Sequence, residues 1–170
     1  SRTGLRSTAV GSEILCAEGA LTVRRFREGD LPALAALLAD PEVMRWLEPP
    51  FDRARAAEFL RTAGLSEPPL IYAAEEDGAF LGYVIFHRYG GEDAAELGWV
   101  LRRSAWGRGY AGRLTALLLS AAEGKWAEAV IECAPEQRAS ARVAERLGFR
   151  EEGMADGCRV FRRAVPRDGT

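Results

Sequence analysis

The chain has 170 residues, 48% of them apolar, a net charge of −2 and a single histidine. That length supports one buried core, so one domain is expected. The charge balance, with a pI near 5.6, lacks the basic excess of a nucleic-acid surface, and one histidine excludes any two-histidine metal site. No 18-residue apolar run is present, so no membrane span is expected. Cys16, Cys133 and Cys158 are odd in number and far apart, which reads as reduced thiols rather than a disulfide frame.

Residues 1–11 are rich in Ser, Thr, Gly and Arg without an apolar stretch, and read as a flexible extension rather than a signal peptide. A cytoplasmic location follows as an expectation. A short strand near Ile14–Cys16 precedes one at Leu21–Phe26. Asp30 is placed to cap a helix whose apolar face is Leu31, Leu34, Leu37 and Leu38, and Asp40-Pro41 stops it. Asp52 caps a second helix carrying Ala56, Phe59 and Leu60, closed by Gly64. Asp77-Gly78 turns a hairpin between Leu70–Ala74 and Phe80–Phe86. Gly90-Gly91 marks the turn into a strand over Glu96–Leu101, and His87 reads as a strand-end surface residue.

Leu114, Leu117, Leu118 and Ala121 then fall at helical spacing, and Gly124 ends that helix. A strand over Ala129–Cys133 and a short helix to Leu147 follow, with Gly148 at its end and Phe149 covering it. Asp156-Gly157 turns the last hairpin. The expected fold is α/β: a mixed, mostly antiparallel sheet of six to seven strands with helices on both faces. One parallel, right-handed β-α-β crossover runs from Glu96 to Cys133. The domain is placed at 12–166, with 167–170 as a tail.

The most informative segment is Gly107-Arg-Gly109-Tyr-Ala-Gly112, which turns a strand into a helix. Glycines there let the backbone approach a ligand, and free N–H groups at a helix start attract phosphate. Read literally, 107–112 matches the dinucleotide pattern G-x-G-x-x-G, with Glu132 twenty residues past the last glycine. Against it, residues 102–106 separate the strand from the first glycine, and only 58 residues follow Gly112. A nucleotide P-loop fails outright, because Arg113-Leu114 stands where Lys and Ser/Thr belong.

The same corner, Trp106-Gly-Arg-Gly109-Tyr-Ala111, resembles the [Q/R]-x-x-G-x-[G/A] motif of the GCN5-related N-acetyltransferases, with Trp in the first position as in the RimJ/RimL-type branch. Two more segments are similar to that branch: Ile14–Leu38 with the turn Asp40–Trp46 after it, and Ala134-Pro-Glu-Gln137 through Ser140 to Leu147-Gly-Phe149. Together they span residues 12–165.

The resemblance implies an acyl-CoA N-acyltransferase-like fold. It also implies transfer of an acetyl group from acetyl-CoA to a primary amine, by direct attack in a ternary complex. Backbone groups at Trp99, Val100 and Leu101 would hold the pantetheine arm, with the polarising N–H near Leu101. Trp106, Gly107, Arg108, Gly109, Tyr110, Ala111 and Gly112 would form the pyrophosphate corner. Gln137 stands at the usual coenzyme-contacting Asn, and Ala144 where many relatives carry a Tyr acid. A CoA-binding module without transferase activity therefore stays open, as does a dinucleotide-binding protein.

Glu96 leads as the base, Glu132 is its rival, and Ser140 could protonate the leaving sulfur or simply cap the following helix. Tyr110 reads as a packing residue. Cys133 lacks anything that would lower its pKa. Met44–Phe51, with Trp46 and Pro49-Pro50, would give the acceptor site an apolar wall. The acceptor is a peptide or small-molecule amine. No metal, nucleic acid or membrane is expected, and the chain is a monomer or homodimer.

Overall fold

The structure is a computed structural model that describes residues 13–167; the extension expected at 1–11 lies outside them. Its strands are β1 (Ile14–Glu18), β2 (Leu21–Arg24), β3 (Ile71–Glu76), β4 (Ala79–Arg88), β5 (Ala94–Leu101), β6 (Glu128–Cys133), β7 (Arg150–Ala155) and β8 (Cys158–Ala164). They form one sheet in the order β1-β2-β3-β4-β5-β6-β8-β7, and every neighbouring pair is antiparallel except β5 with β6. The expectation of six to seven strands falls one short. Ile14–Glu18 folds back on Leu21–Arg24 as a full strand, pairing Glu18 with Leu21 across a tight turn. A single parallel pair also overturns the dinucleotide alternative, which needs a doubly wound parallel sheet.

The helices are α1 (Leu31–Ala39), α2 (Arg53–Phe59, continuing through a π turn to Gly64), α3 (Tyr110–Ala122) and α4 (Arg138–Arg146). Alternation along each strand sends side chains to two cores. Leu97, Ile131 and Phe161 pack on one face with Leu114 and Leu118 of α3 and Ala144 of α4. Ile71, Tyr83 and Val100 pack on the other with Leu34 and Leu38 of α1 and Ala56 of α2. Leu114, Leu118 and Phe161 are fully buried, each worth about 1.5–3 kcal/mol of transfer free energy.

The α3 stripe is rotated from the expected one. Leu114, Thr115, Leu118, Leu119 and Ala122 are buried, while Leu117 and Ala121 flank them. Thr115 enters the core because its hydroxyl donates to the Ala111 carbonyl at 2.7 Å, which satisfies it inside the helix.

Both Asp-Gly hairpins are as expected, with Asp77-Gly78 and Asp156-Gly157 each at positive φ. Asp52 caps α2 through the Arg55 N–H at 2.8 Å. Asp30 does not cap α1. Its carboxylate instead takes two hydrogen bonds from buried Arg24, both at 2.9 Å, and the Arg27 N–H at 2.7 Å. Arg24 also donates to Glu75 at 2.9 Å, so the turn into α1 is tied to β2 and β3. Burial alone would push Asp30 up; Arg24 and the Arg27 N–H overcome it and hold the carboxyl below its usual range. At α4, the Gly148 N–H bonds to Glu145 and the Phe149 N–H to Ala144, a Schellman closure that seats Phe149 in the core.

One glycine controls how β4 meets β5. Register shifts between Ala74 and Glu75 of β3, a bulge that reverses the alternation, so Phe80 and Tyr83 share one face. Gly82, at φ 145°, sits there opposite Leu101, and a Cβ on it would lie 2.1 Å from the Val100 carbonyl oxygen. Gly82→Ala therefore combines backbone strain with a main-chain clash, and should cost about 2–4 kcal/mol in urea unfolding. A loss under about 1 kcal/mol, the size of an average substitution, would show that the close approach is not a constraint.

Candidate functional site

The glycine corner is pinned to the end of β5. The Trp106 indole N–H donates to the Leu101 carbonyl at 2.8 Å, and the Arg102 N–H to Leu81 at 2.8 Å. Gly107 and Gly109 both adopt left-handed φ, 71° and 81°, and Gly109 occupies the cap position of α3. The first helical bond runs from the Arg113 N–H to the Gly109 carbonyl, so the earlier N–H groups have no intrahelical acceptor. A Cβ built on Gly107, Gly109 or Gly112 meets no atom within 4 Å. The corner thus offers free donors and open space, which fits a pyrophosphate.

Four arginines surround it, and the structure separates them. Arg103 is paired to Asp40 at 2.8 Å and Arg113 to Glu76 at 3.6 Å. Arg102 and Arg108 are exposed and form no ion pair among the described residues. Tyr110 is buried and its hydroxyl donates to Glu76; that bond and burial push the phenol up, as suits a packing residue.

β5 parts from β6 almost at once. The two pair only over Ala94–Glu96, against Glu128–Val130, whereas β4 follows β5 to Leu101. One edge of Leu97–Leu101 is therefore left without a strand partner. It includes Trp99–Leu101, the backbone that the family resemblance assigns to the pantetheine arm, although Trp106 already occupies the Leu101 carbonyl.

Glu96 is the last paired residue, and the sheet face it occupies also carries His87 and Glu132. The His87 ring lies 3.5 Å from the Glu96 carboxylate through Nε2. Its Nδ1 is 2.7 Å from the Arg88 carbonyl, an acceptor only, so Nδ1 carries the proton and Nε2 faces Glu96. Burial pushes Glu96 above the usual carboxylate range; His87 opposes the shift and Glu132 adds to it. Glu132 takes the Tyr89 hydroxyl at 2.6 Å, a bond that helps push the phenol up to about 12. Both candidate bases are thus brought together, but one already has a bound donor.

A cleft of about 300 Å³ opens beside Glu96. Met44, Leu47, Glu48 and Phe51 of the 44–51 segment line it, whereas Trp46, Pro49 and Pro50, named with them from the sequence, do not. His87 lines it as well, which corrects its reading as a surface residue. The cause is pairing: His87 stands directly across from Glu96. The sequence signal was the Gly90-Gly91 turn, but fixing the partner requires knowing that the loop closes between Tyr89 and Ala94.

On the other side, Gln137 sits at the cap position of α4, and its Oε1 accepts the Ala134 N–H at 2.8 Å. Ser140 lies in the first turn of α4, two residues inside its start, so it does not cap the helix. Ala144 is fully buried. Burial pushes the Cys133 thiol up, against a nucleophilic role. No group of three or more His, Cys, Asp or Glu able to hold a metal exists among the described residues, and none of their helices is long and apolar enough to cross a membrane.

Comparison with known proteins identifies the family and the fold. Residues 20–150 match the family model described as an acetyltransferase (GNAT) domain. An uncharacterized N-acetyltransferase of Bacillus subtilis, YnaD, is 26% identical over 151 residues, covering 86% of this chain and 85% of its own. The Salmonella typhimurium acetyltransferase that modifies the N-terminal serine of ribosomal protein L7/L12 superposes with a TM-score of 0.77 at 21% identity, covering 91% of this chain and 100% of the other. Spermidine N-acetyltransferase from Vibrio cholerae, solved with CoA and spermine, gives 0.73 at 18% identity, with 86% and 96% covered.

The raised Glu96 carboxyl has a consequence for stability. The native state holds this proton more tightly than the unfolded chain, where Glu titrates near about 4.3. Its contribution is full below that value and is lost as pH rises through the native value. Glu96→Gln removes the titration, so its unfolding free energy should fall less than wild type between roughly pH 4 and pH 7. Thermal unfolding across that range tests this; parallel pH profiles would mean Glu96 is not desolvated in the fold.

Proposed function

The chain belongs to the GNAT acetyltransferase family, and we propose that it acetylates a primary amine by direct attack in a ternary complex, with Glu96 as the base. As a family member it is an acetyl-CoA-dependent acetyltransferase, which settles the choice between an enzyme and a bare binding module. The observation that supports the mechanism best is the parting of β5 from β6 just past Glu96. It leaves an open strand edge next to a carboxylate of raised pKa, on a strand that ends near an anion-binding corner.

Acetyl-CoA supplies the activated acyl group. We assign its pyrophosphate to the N–H groups of Gly107–Gly112, flanked by Trp106 and Arg108, and its pantetheine arm to the backbone of Trp99–Leu101. The amide nitrogen of Gln137 completes the set. The incoming ammonium approaches from the cleft and gives its proton to Glu96, whose desolvation brings its basicity towards that needed. As the amine nitrogen bonds to the acyl carbon, the carbon–sulfur bond breaks. Ser140, whose hydroxyl makes no hydrogen bond among the described residues, is our candidate for the relay: its O–H proton goes to the sulfur and is replaced by the second proton that the nitrogen sheds as the amide forms. Glu132, held by Tyr89, shapes the field around Glu96 rather than taking the proton.

Two measurements test this reading. Calorimetry should show CoA binding with a Kd on the order of micromolar and no NAD binding. Gly109→Val should abolish CoA binding and also cost about 1–2 kcal/mol of stability, because a branched side chain is strained at φ 81°. NAD binding without CoA binding would overturn the assignment.

In steady-state kinetics, Glu96→Gln should lower kcat by roughly 10²–10⁴-fold with little change in acetyl-CoA affinity, and the deficit should shrink as pH rises and free amine accumulates. Glu132→Gln should have the smaller effect. The reverse order would hand the base to Glu132.

A further inference from the structure

The cleft beside Glu96 has a polarity pattern of its own. Its floor runs along β4, where Tyr83, Ile85 and His87 alternate onto one face over about 13 Å of extended chain. Glu96 with His87 stands at one end of this stretch and Tyr83 at the other, where the charge of Glu48, a further lining residue, is felt. Ile85 covers the middle, resting against Gly98 across the strands. Met44, Leu47, Phe51, Phe59 and Leu70 form the walls. Leu47 and Leu70 are each 42% exposed, an apolar rim that a folded chain leaves open at a binding site.

Tyr83 supplies an independent sign of a ligand. It is only 7% exposed, and its hydroxyl makes no hydrogen bond among the described residues. No buried side-chain nitrogen or oxygen there is sealed off without a partner, so this hydroxyl reaches open space, and the cleft is the space Tyr83 lines. Charges are equally selective. Glu48 is joined to Arg55 at 2.6 Å in an exposed ion pair and Glu132 takes the Tyr89 hydroxyl, so Glu96 is the carboxylate of the cleft with no hydrogen-bond donor of its own among the described residues.

We propose that the acceptor is a small-molecule primary amine with an apolar body the size of a branched or aromatic side chain, its ammonium at Glu96 and one hydrogen-bonding atom at the Tyr83 end. The proposal rests on the transferase reading above and names its substrate class. A polyamine fits less well, since its chain would cross Ile85, Phe51 and Phe59, and the second carboxylate of the cleft, Glu48, is already paired to Arg55, so a second ammonium would have to displace that arginine. A peptide beginning with a polar residue would strand that side chain in the same place. The volume, about 300 Å³, suits a small molecule.

The test is thiol release at saturating acetyl-CoA with ethylamine, phenethylamine, 4-hydroxyphenethylamine, spermidine, and peptides starting with Ser or Phe. Phenethylamine should exceed ethylamine in kcat/KM by about 10- to 100-fold, the gain from burying one ring. The hydroxylated amine should exceed phenethylamine. Tyr83→Phe, which breaks no bond within the fold, should erase that second preference and keep the first. A flat series, or preference for spermidine or either peptide, would overturn the acceptor class while leaving acetyl transfer intact. Equal rates for the two aromatic amines would overturn the role of Tyr83. No thiol release with any amine, with CoA still bound, would overturn both the acceptor class and the mechanism it rests on.

Discussion

The active face of this protein depends on two parallel strands that stay together for three residue pairs and then separate. A sheet normally satisfies both edges of an inner strand, and unpaired main-chain groups inside a fold are costly. Here β5 keeps β4 along its whole length and loses β6 after Glu96. The continuing β4 pairing lets the opening persist without β5 coming adrift. Gly82 belongs to the same arrangement, because its missing side chain lets β4 approach the Val100–Leu101 backbone where β5 is otherwise least supported.

Around that opening the electrostatics are arranged by commitment. Most acidic groups near the site already hold a partner: Glu132 has Tyr89, Glu48 has Arg55, and Asp40 has Arg103. Glu96 has only the electrostatic contact with His87, and burial penalises its charge. A carboxylate so placed is a poor contributor to folding and a good recipient of an amine's proton, the usual tension between stability and activity. Arg24 shows the opposite design. It is buried with its charge matched by both Asp30 and Glu75, and it fixes the turn into α1 far from the chemistry.

Local chemistry made much of the fold legible in the sequence. Asp77-Gly78 and Asp156-Gly157 specify hairpins because few other pairs accept two left-handed residues in succession. The glycine corner stood out for a related reason, and its two positive φ values support that reading. Non-local choices were hidden. Asp30 looked like a cap until a buried arginine from β2 claimed its carboxylate. The burial of Thr115 could not be read, because its internal hydrogen bond is invisible to a hydropathy pattern. Ser140 looked like a cap because the start of α4 was not fixed by sequence; the helix begins two residues earlier. His87 was missed because its meaning lies entirely in the residue opposite it. Tyr83 was missed because a strand tyrosine usually finds a partner, and nothing in the chain says that this one does not.

Trp106 carries a consequence of a different kind. Its ring is 48% exposed, yet its indole N–H is fixed to the Leu101 carbonyl and its backbone leads directly into Gly107. The side chain therefore cannot swing freely, and the polarity around it is governed by what lies in the corner. Of the four tryptophans in the chain, this one is placed so that a ligand seated at the glycine corner would change its surroundings and with them its emission colour, without any attached dye.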